Sequence, residues 1–503
     1  MTGTIPKKSS RRDRPTVFLA AEIGVGIRYF LQTGLVKELL ARDVAVVALV
    51  PNPDEVREVL ASDFLNVPVE QLRTDHIDYA FSHSSRLAFH IRALGVASVK
   101  HLRMTGMSNR MNLAVGRDYR QLTERHWKQQ GSRMRYLAGP LAAGAAVLRR
   151  YSSARRLFER MLARRPIDRF HDALFDKYSP ALVVGTGPGW WPAEEMLFRE
   201  AHARNIRTLG VVAGWDHPCS HGLPGARPQR IAAWSQVHAQ DLVLGSDFDV
   251  ADVDIPGPVH FDYYRDANSA YPRDAYFDSL GLDPQLPLIT FGCTFVGLSP
   301  NLMIVEALAE AMARNAFGKP VQILVRLHPS HFKSGVGKYA PVRQEAEQFR
   351  DLARKFPNLR IDSPALGKQG IANYTTPADA RGLASLFAHS DVFVTLFSTM
   401  VLESCFNDVP VVATAFDPPA SELQDFLPIT KALDWPTHDR IIRSGAATVV
   451  RDADGLVDAV RKYLQDPRLH SAERRAFAEQ ECTFLDGKCA GRLADVIAAQ
   501  AHG

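Results

Sequence analysis

From residue 16 onward the chain alternates short, almost unbroken apolar runs with amphipathic helical stretches, and the alternation restarts once. "TVFLAA" (16–21), "VAVVALV" (44–50), "ALVVGT" (181–186) and "TLGVVAG" (208–214) form the first series. "LPLITFG" (286–292), "VQILVRL" (321–327), "DVFVTL" (391–396) and "VPVVATAF" (409–416) form the second. An apolar run without alternating polar residues is a strand buried on both faces. Strands of that kind separated by helices build a parallel sheet with helices on each side. The break between the series, residues 249–285, is rich in Asp, Pro and Tyr and lacks periodicity. With 503 residues the chain exceeds what one core can hold. The expected architecture is therefore α/β, with two Rossmann-like domains facing across a cleft. Its divisions are a disordered lead (1–15), a first domain (16–262), a linker (263–285), a second domain (286–470) and a C-terminal helical segment (471–503) that packs back across both.

Composition narrows the function classes. The opening "MTGTIPKKSSRRDRP" is polar and basic with no apolar stretch after it, unlike a signal peptide. The longest nearly apolar run, "YLAGPLAAGAAVL" (136–148), is too short to span a bilayer. Five scattered cysteines, without a CxxC pair, point to reduced thiols in a cytoplasm and against a zinc site. Residues 101–170 carry 16 Lys+Arg against 4 Asp+Glu, while the remainder carries 44 against 51, so one segment sets the sign of the net charge of +5. Within it Val147, Leu148, Tyr151, Phe158, Met161 and Leu162 share a helical stripe, with Arg149, Arg156, Arg160 and Arg164 largely off it. The segment reads equally as a solvated face and as a surface meeting an anionic membrane or acceptor. Few aromatics and no recognition motif argue against nucleic acid.

Candidate chemistry lies where strands end. "AEIGVGIRYF" (21–30) has Gly24 and Gly26 but lacks the third glycine of a dinucleotide fingerprint, and no acid ends the next strand. It reads either as a loop admitting an acceptor or diphosphate to a helix N-terminus, or as a plain tight turn. Glu22 beside it is a second candidate base, or a first-turn carboxylate on the helix dipole. "VVAGWDHPCSHG" (211–222) crowds Trp215, Asp216, His217 and His221 into one turn. Asp216 is the first candidate to take a proton from an acceptor hydroxyl, His217 or His221 could do so instead, and an Asx-type turn is the alternative to all three. Trp190 and Trp191 in "GTGPGWWPAEE" read as a sugar-stacking surface or as packing. "VRLHPSHF" (325–332) sets Arg326 and His328 just past a strand, where both would face a phosphate. In "TLFSTMVLES" Ser398 and Thr399 cap a helix at a strand's carboxyl end, which is also an anion site. Glu403, one turn on, is placed to accept ribose hydroxyls.

The "RLHP" and "FST…E" pair resembles the His-Pro and Ser-Ser/Thr elements of bacterial capsule sialyltransferases and CDP-glycerol glycerophosphotransferase-like enzymes. "GWD", "GPVHFD" and "STMVLE" are similar to elements of bacterial surface-polysaccharide transferases related to the UDP-N-acetylglucosamine 2-epimerase superfamily. The resemblance implies a GT-B fold and transfer of a sugar, or polyol phosphate, from a nucleotide-activated donor to a hydroxyl of a cell-surface glycan or lipid-linked acceptor. It implies that His328, Ser398, Thr399 and Glu403 surround the nucleotide's phosphates and ribose. In the transfer so expected, Arg326, catalytic His328 and the 398–399 helix end neutralise charge growing on the departing nucleotide. The acceptor side would comprise Gly24, Gly26, Trp215 and His217, with Asp216 and Glu22 as bases. No DxD-type pair stands in place, so the donor is a substrate and no metal or other cofactor is expected. Ser398 is followed by Thr399 and Met400 instead of the paired glycines of a 2-epimerase, which favours transfer over epimerisation. The alternatives are a 2-epimerase-like enzyme and a non-catalytic GT-B-like protein of envelope assembly. The expected location is the cytoplasm, with residues 101–170 contacting the inner face of the cell membrane.

Overall fold

A computed structural model describes residues 14–60, 67–73, 150–163, 169–187, 189–294, 301–332, 340–367, 371, 373–420 and 428–503. The sequence "IDYAF" (77–81) reads as a further strand; it, the apolar run 136–148 and most of the basic segment lie outside the described residues.

Among the described residues thirteen strands form two sheets. The first contains β1 (Thr16–Ala20), β2 (Ala45–Val50), β3 (Val69–Gln71), β4 (Leu182–Gly185), β5 (Arg207–Val211), β6 (Arg230–Ala232) and β7 (Val253–Asp254), in the order β3-β2-β1-β4-β5-β6-β7. The second contains β8 (Leu288–Gly292), β9 (Gln322–Arg326), β10 (Leu359–Asp362), β11 (Val392–Thr395), β12 (Val411–Thr414) and β13 (Thr448–Val450), in the order β10-β9-β8-β11-β12-β13. Every pairing within the two sheets is parallel. Val17, Phe18, Leu19 and Ala20 are buried, as are Leu288 to Gly292, because helices cover both faces. Strand order reverses between β1 and β4 and again between β8 and β11. The chain leaves these neighbouring strands toward opposite faces, opening a crevice at their carboxyl ends where α/β sheets place ligands.

Two boundaries differ from the sequence reading. The stretch 26–43 reads as one helix but forms two, Gly24–Leu31 and Leu35–Ala41. Thr33 Oγ1 donates to the Tyr29 carbonyl and accepts from the Leu35 amide, diverting the backbone at Gly34. Within the stretch expected as linker, Arg273–Leu280 is a helix packed against helix Pro377–His389 and β10, so it belongs to the second unit.

The last two helices join the units. Helix Ser471–Cys482 rests on helix Thr399–Phe406 of the second unit and helix Gln236–Ser246 of the first, and helix Cys489–His502 lies along Leu35–Ala41. The carboxylate of Asp262, in "GPVHFD", caps the final helix by accepting from the Cys489 and Ala490 amides at 2.9 and 2.7 Å. Gly257 (φ +91°) precedes it, and an added Cβ there would stand 2.6 Å from Cys489 Sγ, so only glycine fits. Substituting Asp262→Ala leaves two helix-end donors without their partner, and a loss of about 1–2 kcal/mol is expected in urea titration. Among the described residues no helix is long and apolar enough to cross a membrane.

Candidate active site

The two reversal points face each other. Arg28, in the helix after β1, reaches the pair formed by Tyr264 and Glu403. The Tyr264 hydroxyl donates to Glu403 Oε1 at 2.6 Å. Glu403 is buried and Arg28 and Tyr264 are half-buried; the nearby Tyr264 and Glu403 outweigh the cost of desolvating the Arg28 guanidinium, so its pKa is raised. Burial raises the Glu403 carboxyl, and Arg28 only partly offsets this. Arg28 Nη2 has no hydrogen-bond partner. The loop after β1 and the helix beginning at Thr399 are thus opposite walls of one cleft.

On the second unit's wall, Ser398 (φ −152°) is the N-cap of helix Thr399–Phe406, and its Oγ accepts from the Met400 amide at 3.2 Å. Ser398 and Thr399 are half-buried at the carboxyl end of β11. The dipole of a capped helix at this position favours an anion. His328 lies past the end of β9. Its Nδ1 accepts from the Ser330 amide at 3.1 Å and meets Ser330 Oγ at 2.7 Å. A backbone amide can only donate, so neutral His328 carries its proton on Nε2.

Arg326 differs from the expectation that it meets a phosphate. Its guanidinium is bound by Asp362 Oδ2 at 2.8 Å and Asp379 Oδ1 at 2.6 Å, and the side chain is buried. Two carboxylates already match its charge. Asp379 also accepts from the Ala365 amide at 2.9 Å, so Arg326 braces the loop beginning there.

On the first unit's wall, Glu22 Oε2 accepts from the Ala193 and Glu194 amides at 2.8 and 3.3 Å, at the start of helix Pro192–Ala203. Those amides favour the carboxylate, but burial outweighs them and pushes the group from the ordinary 4.5 up to about 7. Glu194 is pushed to about 8 by burial and by Glu22, although it accepts from Thr186 N, Thr186 Oγ1 and Gly187 N. Two carboxyl groups at one strand crossover thus hold protons near neutrality.

The "GWDHP" turn divides in two. Trp215 is not on the acceptor side as expected: it is 2% exposed, and its indole donates to Glu481 Oε2 of helix Ser471–Cys482 at 2.7 Å. Glu481 is held by Arg440, which also pairs with Asp241, so the indole is locked among elements of both units. His217 and His221 stack at 4.8 Å, with the edges or faces of Trp190 and Trp191 about them at 5.0–6.0 Å. Burial lowers the His217 pKa, and its Nδ1 and the Trp191 Nε1 lack partners. Asp216 is half-buried at the N-cap of the short helix His217–Ser220 and makes no side-chain cap bond. This cluster was legible as a crowded turn, whereas the Trp190–Trp191 contact with it needed the β4–β5 pairing.

Gly24 and Gly26 make room for protein. A Cβ on Gly24 would stand 2.3 Å from the Asn373 carbonyl, and one on Gly26 would stand 2.5 Å from Thr186 Oγ1. The two units touch through Gly24. The substitution Gly24→Ala is expected to force them apart, at about 1–3 kcal/mol, and to raise the radius of gyration in X-ray scattering.

Arg28 escaped sequence reasoning because a lone arginine in a helix carries no motif. Among the described residues no group of three or more His, Cys, Asp or Glu is placed to hold a metal ion.

Two Rossmann-like units facing across such a cleft constitute the GT-B fold. The chain is similar to a glycosyltransferase from Rickettsia africae (11% identity, TM-score 0.50, 97% of this chain and 99% of that one). It is similar also to the UDP-GlcNAc 2-epimerase of Methanocaldococcus jannaschii (12%, 0.50, 96% and 99%) and to S. aureus MnaA in its UDP co-structure (12%, 0.50, 96% and 96%). At such identities the likeness is one of fold. No family model matches the sequence, and no curated protein does.

Proposed function

We propose that the protein is a GT-B transferase that moves a sugar, or a polyol phosphate, from a nucleotide-activated donor to an acceptor hydroxyl. The observation that carries this is the Arg28–Tyr264–Glu403 contact. It brings a capped helix N-terminus, suited to a diphosphate, opposite a strand end whose carboxyl group titrates near neutrality.

In this mechanism the nucleotide lies on the second unit. Its phosphates meet the Ser398–Thr399 helix end and the Nε2 proton of His328, and Glu403 turns from Tyr264 to the ribose hydroxyls. The acceptor lies along the first unit's strand ends beside Trp191 and His217. Glu22 takes the acceptor hydroxyl proton, and the freed oxygen attacks the donor's reacting carbon (or phosphorus). The bond to the leaving nucleotide breaks with its electron pair passing to the phosphate oxygen. Glu22 suits the base better than Asp216 because backbone amides fix its Oε2 and burial pushes its pKa up to about 7. Arg28 replaces Arg326 as the cation for the leaving group, since its Nη2 remains unmatched.

The test incubates the protein with UDP-, CDP- and GDP-linked sugars, with and without a glycan acceptor, and follows nucleotide release. Release that requires acceptor is expected. Release of nucleotide diphosphate and free sugar without acceptor would identify a 2-epimerase-like enzyme instead. Binding of no nucleotide, together with tight binding to anionic vesicles, would leave a non-catalytic envelope protein. The substitution Ser398→Ala removes a cap, and about 1 kcal/mol of stability with a several-fold rise in donor KM is expected. Unchanged donor KM would remove the helix end from the phosphate site.

A further inference from the structure

Four large apolar side chains among the described residues are more than half exposed: Leu244 (63%), Tyr151 (60%), Leu157 (58%) and Val250 (54%). They come from two stretches, 150–160 and 244–250, which a bidentate ion pair ties together. Arg155 Nε donates to Asp247 Oδ2 at 2.6 Å, and its Nη2 to Oδ1 at 2.8 Å. Asp247 stands between Leu244 and Val250 in the chain, so these two flank the point where helix Ser152–Ala163 is anchored.

A second clamp holds the same helix face. Glu159 accepts from Arg227 Nη2 at 2.5 Å, while Arg227 also donates to the Ser246 carbonyl at 2.8 Å and lies over the Phe248 ring at 4.4 Å. Arg155 and Glu159 are one helical turn apart and share a face. At about 100° per residue Leu157 stands opposite that face, flanked by Ser153, Arg156 and Arg160. All of these are exposed. The usual arrangement is reversed: the helix is held by ion pairs and turns its leucine to solvent.

Positive charge accompanies the apolar groups. Arg150, Arg156 and Arg160 are exposed and form no ion pair among the described residues, whereas Arg155 and Glu159 are matched. Asp249, which accepts from the Ala251 amide at 3.1 Å, is the one exposed acid of the two stretches. Apolar side chains exposed singly need no explanation, but a group of them beside three arginines does.

We propose that this patch docks the protein on an anionic lipid surface, with the apolar side chains entering the acyl boundary and the arginines meeting the headgroups. The inference is independent of the donor reading. So few side chains fall short of the roughly 800 Å² that a stable protein interface takes from each partner, whereas a lipid surface is held by a few inserted groups ringed with basic residues. Arginine suits the place because its stem packs with apolar groups while its guanidinium stays among phosphates. Residues 244–250 precede β7, the edge strand of the first sheet, so the patch lies toward the amino end of that strand and leaves the cleft at the carboxyl ends uncovered.

Sedimentation of the full chain with vesicles of phosphatidylcholine, and of phosphatidylcholine and phosphatidylserine in equal parts, tests this. Binding to the mixed vesicles is expected to be at least about tenfold tighter. Arg156→Gln with Arg160→Gln should weaken it by about 30-fold, from about fivefold per arginine. Leu157→Ser with Leu244→Ser should weaken it by about tenfold or more, with Tm unchanged because both side chains are exposed. No binding to the mixed vesicles, binding indifferent to phosphatidylserine, or binding that survives both double variants overturns the proposal. A lower Tm in the leucine variant would show the patch packed against another segment of the chain. A wild-type dimer that the same variant converts to monomer in size-exclusion chromatography would show it joining two copies. Either result overturns the lipid assignment.

Discussion

Replacing Glu22 by Gln is expected to abolish transfer while making the protein more stable. A general base contributes about 10²–10⁴ in rate, so kcat should fall by roughly 10³. In the native protein burial holds the carboxyl at about 7, against 4.5 ordinarily. Below pH 4.5 the group is protonated whether folded or unfolded and costs nothing. Between 4.5 and 7 the unfolded chain ionises first, so native stability falls as pH rises, and above 7 the whole penalty is present. That penalty is on the order of 3 kcal/mol. Gln retains an oxygen for the Ala193 amide and carries no charge to bury. Glu22→Gln should therefore raise Tm at pH 8 and leave it nearly unchanged at pH 4. In the wild-type protein kcat/KM should fall tenfold per pH unit below about 7, because the base must be ionised. An active, pH-independent Glu22→Gln variant would transfer the role to Asp216, whose Asn variant is the companion measurement.

Replacing Arg28 by Met is expected to lower kcat by about 10²–10³ with donor KM changed only a few-fold, the mark of an interaction that grows as the leaving diphosphate gains charge. The guanidinium lies against Tyr264 and Glu403, and its Nη2 has no partner, so in this state its capacity to donate is incompletely used. Arg28→Lys keeps the charge without the planar fork and should recover little of the rate. Steady-state kinetics with varied donor separates the two parameters. A rate within threefold of wild type would place Arg28 as a structural tie between the units. In that event Tyr264→Phe, which frees Glu403, should leave activity unaltered as well.

The two predictions involve residues of different legibility. Glu22 was visible as a carboxylate at the end of an apolar run, but nothing local could say that it would titrate near neutrality. That followed from the Ala193–Glu194 helix end and from Glu194, about 170 residues away in the chain. Ser398 was readable from its capping position, and the helix it caps begins at the next residue. Arg326 and Trp215 were placed correctly along the chain, yet both side chains face inward. Asp362, Asp379 and Glu481 come from distant segments, and no spacing rule announces them.

The sequence alone therefore determined the two-unit α/β architecture, since apolar runs can be satisfied only inside covered parallel sheets and each series has its own. It determined also which loops stand at strand ends, because strand direction follows from the alternation. The tertiary structure decided which of those loops face one another, which cations remain unmatched and which carboxyls keep a proton. Those properties depend on burial and on charges from remote segments, and the long-range packing of the units creates both.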